Sequence, residues 1–162
     1  MDTVLDYLNH WAGLNPGKCF SAFLDRHGNP RENYTYQSFE ARTRFLAEYI
    51  LDETGLQRGD RVALVYPPGL EMVASFVACA RIGVIPVPIP PATSVGKGAV
   101  TRLRSVLEDC QATLALTDSS LGAASIGHGE AGEQAGAPIG VQWLATDRLL
   151  IAPGIRLGAP SR

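Results

Sequence analysis

The sequence predicts an α/β domain: a mostly parallel sheet flanked by helices, with a short N-terminal β-hairpin. Three observations predict it. Val62 to Val65 are four consecutive apolar residues with no polar alternation, the pattern of a strand buried on both faces. An amphipathic segment and a second apolar run, led by Gly83, follow directly. The order strand, helix, strand, helix, strand then repeats along the chain, which favours parallel pairing through right-handed crossovers. At 162 residues, 46% hydrophobic and 19% charged, the chain has the length and composition of one folded domain with a real core.

Val4, Leu5, Leu8, Trp11 and Ala12 recur at helical spacing until Asn15-Pro16-Gly17 stops them. "CFSAFLD" reads as a strand, "RHGNPREN" as the turn of a hairpin and "YTY" as a short return strand. Thr35 is placed to cap a helix from about Gln37 to Glu53. Ser38 stands where a capping box favours Glu or Gln, so the expected cap is partial. Phe39, Leu46 and Ile50 form its apolar stripe, with Phe45 and Tyr49 beside it. Arg42, Arg44 and Glu48 are expected to face water. Gly55 ends the helix.

After the strand at Val62–Val65, Tyr66-Pro67-Pro68-Gly69 forces an extended exit and a turn. Leu70, Val73, Phe76, Val77 and Ala80 give the next helix its expected buried stripe, and Gly83 terminates it. In "VIPVPIP", Pro86 and Pro88 cannot donate ladder hydrogen bonds, so this strand belongs at an edge. Residues 92–98 read as a loop, "VTRLRSVLEDC" as a helix, "TLALT" as a strand and "SSLGAA" as the start of a short helix. Residues 122–138 are rich in Gly and Ala and read as a long loop. "IGVQWLAT" is the last expected strand.

The formal net charge is −2, which argues against nucleic acid as a partner. Arg102 and Arg104 are followed on the same segment by Glu108 and Asp109, as on a solvated helix face. Cys19, Cys79 and Cys110 are odd in number and far apart, with no CxxC pair, so neither zinc nor a disulfide framework is expected. The N-terminus lacks the basic start and apolar block of a signal peptide. No apolar stretch has the length and freedom from Pro and charge needed for a transmembrane segment. A cytoplasmic location is the expectation.

Several short motifs imitate functional ones. "GHGEAG", Gly127 to Gly132, matches the spacing of a dinucleotide-binding turn but lacks the preceding strand and following helix. "GLNPGKC", Gly13 to Cys19, is one residue short of a phosphate loop and carries Cys where Ser or Thr would meet magnesium. "RGD" at 58–60 reads as a turn, and "NYT" at 33–35 as a chance glycosylation sequon. His10, His27 and His128 have no acidic or cysteine partner at catalytic or metal-binding spacing. Ser119 and Ser120 lack the nucleophile elbow of a hydrolase. No residue is therefore assigned a catalytic, cofactor-binding or metal-binding role.

The segment "GDRVALVYPPGLEMVASFVACARIGVIPVPIPP" resembles the early part of adenylate-forming acyl-activating enzymes, and within them the fatty acyl-AMP ligase branch. The resemblance takes in the N-terminal helix, "FLDRHGNPRENYTYQSFEART", "RLRSVLEDCQATLALTDSSL" and "VQWLATDRL". It implies that residues 1–147 form a partial, incomplete N-terminal domain of an AMP-forming ligase and that 148–162 are an irregular tail. In the complete enzyme it implies ATP and magnesium as cofactors. A fatty acid would be activated as its acyl-adenylate, then passed to a phosphopantetheine thiol of an acyl carrier protein, a polyketide synthase or CoA. The Ser/Thr/Gly-rich loop ending in Lys, the ribose-binding acid and the C-terminal Lys of such enzymes have no counterpart in these residues. "RLLIAPGIRLGAPSR" departs from the family pattern. The expectation is therefore a fragment or truncated product, inactive alone and binding neither cofactor, with exposed sheet edges. Two other readings stand beside it: a non-catalytic acyl- or partner-binding module derived from such an enzyme, and an unrelated nucleotide-binding protein using "GHGEAG".

Overall fold

Val62–Val65 belong to a strand that is paired on both sides. The computed structural model describes residues 3–91, 97–121 and 140–149. Its elements are α1 (Val4–Leu14), β1 (Cys19–Leu24), β2 (Pro30–Thr35), α2 (Tyr36–Thr54), β3 (Arg61–Val65), α3 (Leu70–Ile82), β4 (Ile85–Pro88), α4 (Lys97–Cys110), β5 (Leu114–Thr117) and β6 (Gln142–Ala145), closed by a 3₁₀ turn at Thr146–Arg148. β1 and β2 form an antiparallel hairpin. The other four strands make a parallel sheet in the order β4-β3-β5-β6. The predicted fold class holds.

The pleat sends alternate residues to opposite faces. Val62 and Leu64 join Leu114 and Leu116 in a cluster with Ile50 of α2 and Cys79 of α3. Ala63, Val65 and Ala115 pack on the other face against Leu103 and Leu107 of α4. The chain leaves β3 toward β4 by way of α3, then returns to the opposite side of β3 to lay down β5. The winding direction therefore reverses between β3 and β5. β4 is an edge strand among the described residues, as its prolines require.

The hairpin turn is shorter than the sequence reading allowed. Asp25 accepts the amides of His27 and Asn29 at 2.8 and 2.9 Å, which closes a tight turn. The return strand then begins at Pro30, where "YTY" had placed it at Tyr34. The cap of α2 is complete. The amide of Ser38 donates to Thr35 Oγ1 at 3.1 Å, and the amide of Thr35 donates to Ser38 Oγ at 2.9 Å. A serine hydroxyl thus does what Glu or Gln usually does in a capping box. Thr35→Ala is expected to lower stability by about 1 kcal/mol, read from a urea titration. An unchanged midpoint would show that the box contributes nothing.

Two side-chain placements differ from expectation. Arg42, expected to face water, is buried, with 5% of its surface exposed. It lies at i+3 from Phe39 and i−4 from Leu46, so it sits on the buried stripe and must find partners there. In α3 the buried residues are Leu70, Ala74, Ser75, Ala78 and Cys79. Val73 and Phe76 are instead 36% and 41% exposed, and Ala80 is also exposed. The small side chains bring α3 close to α2, and that contact sets the rotation of the helix more than residue size does.

Lys97 and Gly98, expected in a loop, already belong to α4. Ser119 to Leu121 form a turn where a short helix was expected to begin. The remainder of that expected helix, the loop expected at 122–138 and most of the 148–162 tail lie outside the described residues.

Candidate functional site at the carboxyl edge of the sheet

In an open α/β sheet, ligands favour the crevice at the carboxyl ends of the strands, where the winding reverses. Here that point lies beyond Val65 and Thr117. Tyr66 follows β3 directly, and its hydroxyl is 2.8 Å from Ser75 Oγ of α3 and 2.9 Å from Thr146 Oγ1 beyond β6. Thr146 Oγ1 also donates to the carbonyl of Thr117 at 3.5 Å. Tyr66, Ser75 and Thr146 are all buried. Burial pushes the Tyr66 hydroxyl well above the ordinary value of 10.0, so it stays protonated.

Beside this network, Arg42 of α2 bridges to the same turn. Its guanidinium donates to Glu71 Oε1 at 2.5 Å, to the Thr146 carbonyl at 2.8 Å and to the Leu149 carbonyl at 2.7 Å. Asp147 accepts from the Ser119 amide at 2.8 Å and from its hydroxyl. The exit of β6 is thus tied to α2, α3, the end of β3 and the end of β5.

These groups brace the edge. Ser75 has a neutral phenol beside it in place of a base. Ser119 meets a carboxylate with no imidazole between them, so the relay of a serine hydrolase is missing. The α3 N-terminus, whose free amides could meet a phosphate, is taken by the chain's own Glu32, which accepts the Leu70 amide at 3.1 Å. Among the described residues no three His, Cys, Asp or Glu side chains are grouped to hold a metal ion.

The motifs weighed in the sequence fall elsewhere. "GLNPGKC" spans the end of α1 and its Asn15 C-cap, a helix stop. In "RGD", the Gly59 amide donates to Gly83 O at 2.9 Å and Asp60 accepts the Gln57 amide at 2.7 Å. The sequon threonine, Thr35, spends its hydroxyl on the α2 cap. His27 accepts from Arg26 Nε at 3.0 Å in the hairpin turn, and His10 stacks edge-on with Trp11. His128 and "GHGEAG" lie outside the described residues. Sequence reasoning missed Arg42, Glu71 and Thr146. The i+3 spacing of Arg42 from Phe39 was the one available signal.

Cys79 is fully buried, and desolvation pushes its thiol up to about 12. Cys19 is exposed. With a disulfide reagent at pH 8, Cys19 is expected to react in the native protein and Cys79 only after unfolding. Prompt native reaction at Cys79, located by peptide mapping, would contradict this placement.

A second feature is an open apolar groove of about 390 Å³ between α1 and α3. Tyr7, Trp11, Phe20, Tyr36, Phe39 and Val73 are among its lining residues. It contains no reactive group.

The fold and its braced edge define an α/β domain wound in both directions from β3. The AMP-binding enzyme family model matches residues 8–149, and the chain belongs to that family. It is 33% identical over 119 residues to long-chain-fatty-acid–AMP ligase FadD32 of Mycolicibacterium smegmatis, covering 71% of this chain and 18% of the relative. It is 29% identical to medium-chain-fatty-acid–[acyl-carrier-protein] ligase JamA of Moorena producens, covering 73% of this chain and 20% of the relative. A fatty acyl-adenylate ligase of Legionella pneumophila, solved with acyl adenylate and pyrophosphate, superposes with a TM-score of 0.74 at 22% identity. That match covers 93% of this chain and 24% of the other, and it bears on fold alone. The chain spans about a fifth of the length of these curated relatives. The resemblance read from the sequence is borne out. No described helix is long and apolar enough to cross a membrane.

Proposed function

We propose that this chain is the N-terminal portion of a fatty acid-activating, AMP-forming ligase and serves it as scaffold. The observation that carries this reading is the 33% identity to a long-chain-fatty-acid–AMP ligase within a family match from residue 8 to residue 149. In the complete enzyme, a fatty acid carboxylate oxygen attacks the α-phosphorus of ATP and pyrophosphate leaves with magnesium. A phosphopantetheine thiol on an acyl carrier protein, a polyketide synthase or CoA then attacks the acyl carbon, and AMP leaves. None of these steps is assigned to a residue of this chain, which binds neither cofactor and is inactive alone in a cytoplasmic setting.

The test is a chimaera in which this chain replaces the matching 119 residues of FadD32. A soluble chimaera is expected to retain fatty acid-dependent ATP–pyrophosphate exchange, and the isolated chain to show none. A folded but inactive chimaera would overturn the scaffold role. Exchange by the isolated chain would overturn the inactivity.

A second reading, a non-catalytic acyl- or partner-binding module, is favoured by two observations. One is the open apolar groove. The other is 31% identity over 88 residues to a human relative named as Disco-interacting protein 2 homolog A. Saturable binding of a fatty acid by the stable isolated chain would support this reading, and an aggregating chain would count against it.

A further inference from the structure

We infer that the turn from Thr146 to Leu149 is a latch closed by Arg42, which opens as a local unit and sets the direction in which the backbone leaves β6. The inference stands on geometry and does not depend on the function proposed above. The turn is held mainly by polar contacts. Arg42 grips its backbone through two carbonyls, at 2.8 Å to Thr146 and 2.7 Å to Leu149. Tyr66 grips its one fully buried side chain, Thr146, at 2.9 Å. Asp147 and Arg148 are exposed, and Leu149 is only partly buried against the α2–α3 cluster. Segments with few buried apolar contacts open at lower free energy than the core around them.

The guanidinium suits this task and an ammonium does not. Its planar fork places one set of donors on Glu71 while others reach two carbonyls of a different segment. A lysine offers three donors from one point and can keep the Glu71 pair or reach the turn, but it cannot span both. Arg42 is thus a positioning residue. Glu71, at 2.5 Å, holds the guanidinium in register, and the turn it grips lies at the edge where open α/β sheets place their ligands.

Hydrogen exchange read by mass spectrometry on the full chain tests this. Arg42→Lys is expected to speed exchange in peptides covering 146–149 by tenfold or more, while peptides over 61–65 and 114–117 keep wild-type rates. Thr146→Val leaves the Arg42–Glu71 pair intact, releases the side-chain grip, and is expected to act in the same direction. It serves as the deciding variant if Arg42→Lys does not fold. Uniform acceleration across all peptides would make Arg42 a global stabiliser and overturn the inference. Unchanged exchange at 146–149 would overturn it as well.

Discussion

Leu64→Ala is expected to lower the unfolding free energy by about 2–5 kcal/mol. Leu64 is 1% exposed in β3, which pairs with β4 on one side and β5 on the other. Its side chain lies among Ile50, Leu116, Tyr66 and Cys79. Truncation loses the transfer free energy of the removed carbons and leaves a void, because strands paired on both sides cannot close inward. A domain of this size is stable by about 5–15 kcal/mol, so the loss is a large share of the whole. Leu51→Ala is the control. Leu51 is 48% exposed on α2, and its loss is expected to cost under about 0.5 kcal/mol. Guanidinium titrations followed by far-UV circular dichroism measure both; equal shifts would refute the assigned core.

Tyr66→Phe is expected to cost about 1–3 kcal/mol, because it leaves buried polar groups without their partner. The phenol bridges Ser75 and Thr146 at 2.8 and 2.9 Å. Thr146 keeps a longer bond to Thr117 O, so Ser75 bears most of the loss. The variant also changes the alkaline limb of stability. Burial raises the Tyr66 hydroxyl above its ordinary value of 10.0, and burial followed by Glu71 does the same at Tyr34. Below pH 10 the native and unfolded chains both keep these phenols protonated, and their contribution is fully present. As pH rises past 10 the unfolded phenols ionise while the native ones resist, so stability falls. Wild-type stability is expected to decline above pH 10 and Tyr66→Phe to decline less steeply. Parallel slopes would mean that the Tyr66 hydroxyl is not buried in the native protein.

The elements readable from the sequence were those set by local chemistry. Val62–Val65 has no polar face, so it had to be covered on both sides. Gly55 and Gly83 end their helices in the left-handed region, with φ of 65° and 76°. The braced edge was not readable, because its bonds join residues far apart in the chain. Tyr66 meets Thr146 across 80 positions, and Arg42 meets Thr146 and Leu149 across 104 and 107. Each of these residues is ordinary in its own neighbourhood. The α3 stripe departs from expectation for another reason: counting large apolar residues favours Val73 and Phe76, whereas the close contact with α2 selects Ala74 and Ala78. The assignment of no catalytic residue rests on missing motifs alone.

The placement of Pro86 and Pro88 also governs how copies of this sheet could join. In a parallel strand each residue turns both its backbone groups to one side, alternating along the chain. Ile85 and Ile89 donate to Asp60 and Leu64 on the β3 side, so the two prolines face outward. That margin offers carbonyls but no amide hydrogens at either position, and an incoming strand cannot complete a ladder against it. β6, by contrast, carries no proline. Among the described residues, β4 is thus a sheet margin that its own prolines close to strand addition.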